Sequence, residues 1–432
     1  MPRLRQLTDD ARIGLSVVGR LVKERKARDL GFDDLRETLR RLGVMGSALS
    51  ENKSVRFEGR IFSDAYSPPW PDPSFFDMVT AFGTDRPFCA YAVFAITAKC
   101  MFRCEHCYAI NALKSKEVLS REVLLETVET LCRSGVGVLS LEGGEPMLRY
   151  ADLLAALEQI DGRASPFIAT TGWGLNKRKA AELADAGLVA AQISLDHYIP
   201  EKHNAFRDNP KAFDTAANAV KLHREAGVFP ILAVCSTREV VRGGGLYRYL
   251  ELAKELGAGM IQVIDPLPAG NYLESKDAIL SRAELEEVIE FHRVVNTEPR
   301  FSGYPAVCAR AHVEHESRFG CGMGGNTMLY VDASGNVQPC VYTPMKAGNV
   351  LEEDLSEILA RMRSIFPKSV GGLCPVYGLS KPIAAELEAQ GSRDPIGLEA
   401  TRRLAEKIMR RDEPEVARRM KRKRRLPVVN PR

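Results

Sequence analysis

The stretch "YAVFAITAKCMFRCEHCYAIN", residues 91–111, opens with an apolar run rich in aromatic and β-branched residues and then places Cys100, Cys104 and Cys107 within eight positions. The run reads as a buried strand and the cysteines as the loop leaving its C-terminal end. Clustered thiolates select zinc or an iron–sulfur centre, because soft sulfur ligands match those metals. Structural zinc is usually held by two spaced pairs of ligands. Here three thiols crowd one loop, and the nearest further donor, His106, is wedged between two of them. A four-iron cluster, which normally takes four cysteines, fits this spacing better and leaves one iron open. An open metal position is where chemistry occurs, and the C-terminal edge of a parallel sheet is where α/β folds assemble their sites. Three unrelated loop cysteines are the plain alternative, and their placement argues against it.

Working outward, further apolar runs follow at 136–141, 166–170, 189–195, 229–235 and 260–264, with helical patterns between them at 120–133, 150–160, 176–187, 211–226 and 246–256. Six strands alternating with helices predict parallel βα units, in a sheet either open or curled into a partial barrel. Upstream, 9–29 and 33–42 read as helices, the first with Leu15, Val18, Leu21 and Val22 on one side. The prolines of "SPPWPDPSFF", 67–76, stop regular structure and suggest a linker, or a strap packed by Trp70, Phe75 and Phe76. After residue 300, "TMLYVDASGNVQPCVY", 327–342, reads as a hairpin turning through Asp332–Asn336. The expected partition is a helical, proline-rich extension over 1–88, a βα body over 89–300, a small domain over 301–380, and a helical basic tail over 381–432.

With 432 residues, 45% hydrophobic and 27% charged, the chain can bury a large core. Ten cysteines are too sparse for a disulfide scaffold, so reduced thiols and a reducing cytoplasm are expected. The apolar piece at 13–18 is short and follows Asp9 and Asp10, unlike a secretory signal. No run reaches the ~18 apolar residues of a membrane-spanning helix. The net charge of +4 is uneven: residues 401–432 sum to +9, and the first fifty carry 11 Lys/Arg against 7 Asp/Glu. Cys89, Cys132 and Cys235 read as core thiols.

"CMFRCEHC" resembles the C-x3-C-x2-C motif of the radical S-adenosylmethionine (SAM) superfamily. That resemblance implies a [4Fe–4S] cluster on Cys100, Cys104 and Cys107, whose open iron chelates the amino and carboxylate groups of SAM. His106, at a position commonly aromatic in the family, would lie near the adenine. "LEGGEPMLR", 141–149, resembles the family's GGEP motif. Gly143 and Gly144 would admit the ligand, Glu145 would accept from its ammonium, and Pro146 completes the tight turn. "QISLDH" resembles the S-x-D segment, with Ser194 and Asp196 near the SAM ribose and carboxylate. "TTGWGLN" stands where relatives show T-N-G, Thr171 offering a hydroxyl in place of an amide. "HNAFRDNPKAF" and "AGVFP" complete a resemblance over roughly residues 91–270. The fold it implies is α/β, a partial (β/α)6 TIM-like barrel with a small C-terminal β-hairpin/helix iron–sulfur domain and helical N- and C-terminal extensions.

Cys321 and Cys340 stand in a C-x13-G-x4-C arrangement across the predicted hairpin, Gly335 permitting the turn that brings the thiols together. With "AGNVLEEDLSEI" after it, this resembles the SPASM/twitch extension. The dense C-x2-C-x5-C-x3-C segment of full SPASM domains is missing. One auxiliary [4Fe–4S] cluster is therefore expected, with Cys308 and Cys374 as its other two ligands. Were Cys308 only a buried thiol, that cluster would keep an iron open to substrate. A zinc site of four cysteines is the alternative.

The resemblance implies reductive cleavage of SAM to methionine and a 5′-deoxyadenosyl radical, which abstracts hydrogen from a substrate. The auxiliary cluster would assist oxidation or cross-linking, and flavodoxin or ferredoxin would donate low-potential electrons. A peptide or natural product under maturation is the leading substrate class. The basic ends raise a second, a lipid or other small molecule at an anionic membrane surface. Nucleic acid is weakly supported, because the basic tail lacks interleaved aromatics. A non-enzymatic iron–sulfur or zinc protein is the contrasting reading, and the GGEP and S-x-D segments oppose it. The sequence assigns no general acid or base.

Overall fold

The computed structural model describes residues 12–20, 32–84, 88–114, 117–392 and 394–421. Strand β1 (Tyr91–Thr97) is buried at every position, as a run with no polar face requires. On one side of it follow β2 (Val138–Gly143), β3 (Ser165–Thr170), β4 (Ala190–Ser194), β5 (Phe229–Cys235), β6 (Met260–Ile264) and β7 (Ala306–Ala309), each parallel to the last. On the other side β8 (Met328–Val331) pairs parallel with β1, Tyr330 opposite Val93. Antiparallel β9 (Asn336–Gln338) and β10 (Gly348–Asn349) extend that edge. The ten strands of this sheet form an open order that does not close on itself, so the architecture is the expected partial barrel. The boundary drawn at residue 300 falls inside this sheet, because β7 and β8 both continue it.

Alternation along the strands separates two cores. Phe94, Leu139, Ile168, Ile193 and Leu232 face the surrounding helices. Tyr91, Val93, Val138, Phe167, Phe229 and Met260 face inward. The interior is plugged by the N-terminal segment, whose two strands, Val55–Phe57 and Arg60–Phe62, form a hairpin. Phe62 stacks on Phe229 with ring centroids 3.8 Å apart. Trp70 pairs through its backbone with Ile61, so 67–72 is a strap. Phe75 and Phe76 belong instead to a helix, Pro73–Thr84, because proline in a first turn lacks only an N–H that would have no partner there.

The helix expected at 33–42 runs over Phe32–Ala48. Of the helix expected at 9–29, residues 12–20 are described and helical. Its packed face is Ile13 and Val17, while Leu15 is 75% exposed and Val18 also faces out, the reverse of the expected side. The terminal helix Glu415–Lys421 lies against Phe32–Ala48, Val416 packing with Val44 and Ala48. Arg40 donates to the carbonyls of Arg419 and Met420, 2.9 and 2.5 Å away. The two basic ends thus meet; residues 422–432 of the tail lie outside the described residues. No helix among the described residues is long and apolar enough to cross a membrane.

Candidate active site

The C-terminal ends of β1 to β6 surround a cavity of about 210 Å³, and Cys100, Cys104 and Cys107 all line it. Strand positions facing it carry polar groups, Glu142, Gln192, Ser194 and Gln262 among them. Burial raises the Cys100 and Cys107 thiols, the latter to about 12, and the proximity of Cys104 adds to both shifts. The three sulfurs therefore share one electrostatic environment.

The Gly-Gly turn fixes that loop. The amides of Gly144 and Glu145 donate to the carbonyls of Thr97 and Lys99, each at 2.8 Å. A Cβ on Gly143, whose φ is +138°, would come 2.3 Å from the Thr97 carbonyl oxygen, and one on Gly144 2.1 Å from that of Lys99. Both glycines line the cavity, but what their missing side chains admit is the backbone entering the cysteine loop.

Glu145, expected to accept from a ligand's ammonium, is fully buried and turned away from the cavity. Its carboxylate accepts from the Thr170 hydroxyl at 2.7 Å, the Thr171 amide at 2.8 Å and the Thr171 hydroxyl at 2.5 Å. It also caps the short helical turn opened by buried Pro146. Glu145 therefore organises Thr170 and Thr171, and they line the cavity. Asp196 is likewise engaged: Arg207 donates to it at 2.5 Å and the Cys235 amide at 2.9 Å. Burial opposes its ionisation, but Arg207 and the nearby imidazoles outweigh burial and hold it at about 2. Arg207 then reaches the Cys104 sulfur, 3.5 Å away. Ser194 lines the cavity as expected. His106 stacks on Phe206 at 4.8 Å, and burial lowers its imidazole to about 4, so it is neutral near pH 7.

Cys321, Cys340 and Cys374 line a second cavity of about 120 Å³. Cys321 pairs with Val370 through the backbone, and Cys340 follows β9. Gly335 makes the turn at φ +81°, where a side chain would collide with Asn349. Burial raises all three thiols, that of Cys374 to about 11. Cys308 is not among them. It sits on β7 opposite Gln262, packed in the barrel interior, because a residue there alternates into that core. The structure therefore separates Cys308 from the expected ligand set.

Among the described residues, no three His, Cys, Asp or Glu side chains converge tightly enough to hold a single metal ion. Three thiols line each cavity, and soft sulfur donors in that number fit an iron–sulfur cluster. Aromatic residues join the two sites. Tyr108, next to Cys107, lies 5.8 Å from Tyr342 and 6.3 Å from Tyr330 between ring centroids. Tyr66, Tyr91, Glu314, Met328 and Tyr342 line both cavities. Arg207, Tyr108, Tyr342 and the Asp265–Arg310–Glu314 chain were missed in the sequence. The one local signal was that Tyr108 directly follows Cys107 and Tyr342 stands two residues after Cys340.

Residues 94–245 match the radical SAM superfamily, and residues 321–369 match SPASM, an iron–sulfur cluster-binding domain. The chain is a radical SAM enzyme. Its cofactors are accordingly a SAM-binding [4Fe–4S] cluster, SAM and an auxiliary cluster. Among its relatives is an AdoMet-dependent heme synthase of Methanosarcina barkeri, 26% identical over 67% of this chain and 88% of that one. A GTP 3′,8-cyclase of Limosilactobacillus fermentum is 28% identical over 43% of this chain and 56% of its own length. The fold is similar to that of Streptococcus suis SuiB bound to S-adenosylmethionine, with TM-score 0.54, 16% identity and coverage of 72% and 76%. SuiB bound to its precursor peptide SuiA gives TM-score 0.53 at 15% identity, covering 78% and 82%.

Proposed function

We propose that this radical SAM enzyme oxidises or cross-links a peptide, with Cys100, Cys104 and Cys107 holding the SAM-binding cluster and Cys321, Cys340 and Cys374 the auxiliary one. When bound, cluster and SAM supply the hydrogen-abstracting radical, and the chain supplies position, proton control and exclusion of water. Ser194 and Thr171 both line the cavity, the Thr171 hydroxyl being held by Glu145. Arg207, fixed by Asp196, donates toward Cys104. Tyr108 donates to Glu142 at 2.9 Å, and burial raises that carboxyl, which favours its neutral form.

The observation that carries the peptide reading is the charge of the wall. Its two buried cations are both committed, Arg207 to Asp196 and Arg310 to Asp265 and Glu314, and a third cation, Arg103, is exposed and donates to the carbonyls of Cys100 and Phe102. A phosphate or a polycarboxylate entering here would meet tyrosines and carboxylates without a buried cation to balance it. A neutral side chain of a peptide meets no such cost, and a related fold in SuiB is one that accommodates a precursor peptide. The heme synthase relatives favour a second reading, a tetrapyrrole-like small molecule.

Co-expression with short open reading frames beside the gene, followed by mass spectrometry, tests the proposal. The expected result is a peptide that has lost two hydrogens only when Cys100, Cys104 and Cys107 are intact. Unmodified peptides, together with 5′-deoxyadenosine formation stimulated by a porphyrin, would overturn it.

A further inference from the structure

We propose that Glu314 supplies the fourth ligand of the auxiliary centre, an oxygen donor beside the thiols of Cys321, Cys340 and Cys374. The inference rests on the reading of those three cysteines as cluster ligands and goes beyond it. With Cys308 held on β7 in the barrel interior, no fourth cysteine lines the cavity, and a four-iron cluster has one position to fill.

The other donors around the cavity are poorly suited. Asp64 has both oxygens engaged, one by the Tyr66 amide at 2.6 Å and one by the Ser67 hydroxyl at 2.8 Å. Met328 brings a neutral thioether, 3.8 Å from the Cys340 sulfur, and Tyr342 a buried phenol. Glu314 brings a carboxylate, a donor that iron accepts readily. Its Oε2 accepts from the Arg310 guanidinium at 2.5 Å, and its Oε1 has no hydrogen-bond partner among the described residues.

Position supports the assignment. Glu314 lines the cavity of the three cysteines, the larger cavity of the first site, and a third recess that also reaches Cys374. One network fixes Glu314 and Cys374 together. Arg310 forks between Glu314 and Asp265, the Tyr377 hydroxyl donates to Asp265 at 2.8 Å, and the Tyr377 amide donates to the Cys374 carbonyl at 3.1 Å. The carboxylate is thus preorganised beside the last of the three thiols.

The test uses the full chain with Cys100, Cys104 and Cys107 replaced by alanine, so that only the auxiliary cluster assembles, reconstituted anaerobically and reduced. Electron paramagnetic resonance is recorded with and without cyanide, alongside Glu314→Gln and Glu314→Cys in the same background. The expected parent binds about four irons and keeps its spectrum in cyanide, whereas Glu314→Gln shifts its g-values when cyanide is added. Glu314→Cys should restore resistance to cyanide with a spectrum of its own. If Glu314→Gln assembles no cluster, Glu314→Cys decides: about four irons with an altered spectrum supports the assignment. Spectra and cyanide response identical across all three proteins would overturn it while leaving the auxiliary cluster in place. A parent that binds no iron would instead remove the reading on which the assignment rests.

Discussion

Arg207 is a positioning residue: its guanidinium is pinned by Asp196 and aimed at the sulfur of Cys104. Hydrogen bonds to cluster sulfurs tune the reduction potential, and losing such a partner typically costs about 10–100-fold in metal affinity or activity. Arg207→Gln is therefore expected to move the SAM-cluster potential to more negative values and to slow SAM cleavage about tenfold or more. An EPR-monitored redox titration checks this, and an unchanged potential would make the arginine merely structural. Because Asp196 ionises at about 2, below an ordinary carboxylate, the stability from its pairing is present above about pH 4 and is lost only as pH falls toward that value. The three-cysteine motif could be read in the sequence because its cysteines are close sequence neighbours. The partners of Glu145 and Asp196 could not, since Thr170, Thr171, Arg207 and Cys235 meet them only through folding. Cys308 was misplaced for the same reason, a strand's inward alternation being invisible until its neighbours are known.

The glycine turn after β2 and the cysteine loop after β1 act as one element, zipped by two backbone hydrogen bonds. Gly144→Ala would push a methyl into the Lys99 carbonyl, a collision with backbone that no rotamer relieves. The expected outcome is a loss of about 1–3 kcal/mol in stability and reduced iron at the first site, with the auxiliary site retained. Urea titration and iron analysis of the variant check it, and normal iron at both sites would show that the loop can yield. Strands β1 to β6 were legible from their apolar runs and the second hairpin from its turn, whereas β7, only four residues long, was not. The parallel pairing of β8 with β1 was not, because nothing local in residues 328–331 specifies a partner so far away in sequence. Yet that pairing brings Cys340 and Tyr342 toward Tyr108.

Across the whole molecule, burial sets the pH range of the fold. His223 is fully buried, neither ring nitrogen has a hydrogen-bond partner among the described residues, and burial lowers its imidazole to about 4. Between its ordinary value near 6.5 and about 4 the unfolded chain binds a proton that the folded chain refuses, so stability falls as pH drops through that window. The loss reaches about 3 kcal/mol for such a residue. His223→Leu should flatten the dependence, read as urea midpoints at pH 7.5 and 5, and a slope equal to the parent's would contradict the assignment.

SAM splitting is expected to require Cys100, Cys104 and Cys107. The direct measurement is 5′-deoxyadenosine released by anaerobically reconstituted, dithionite-reduced protein given SAM. The parent is predicted to form it, as is the chain lacking Cys321, Cys340 and Cys374, while the chain lacking Cys100, Cys104 and Cys107 forms none. An iron-loaded parent that releases no 5′-deoxyadenosine, or equal release without those three thiols, would contradict the account.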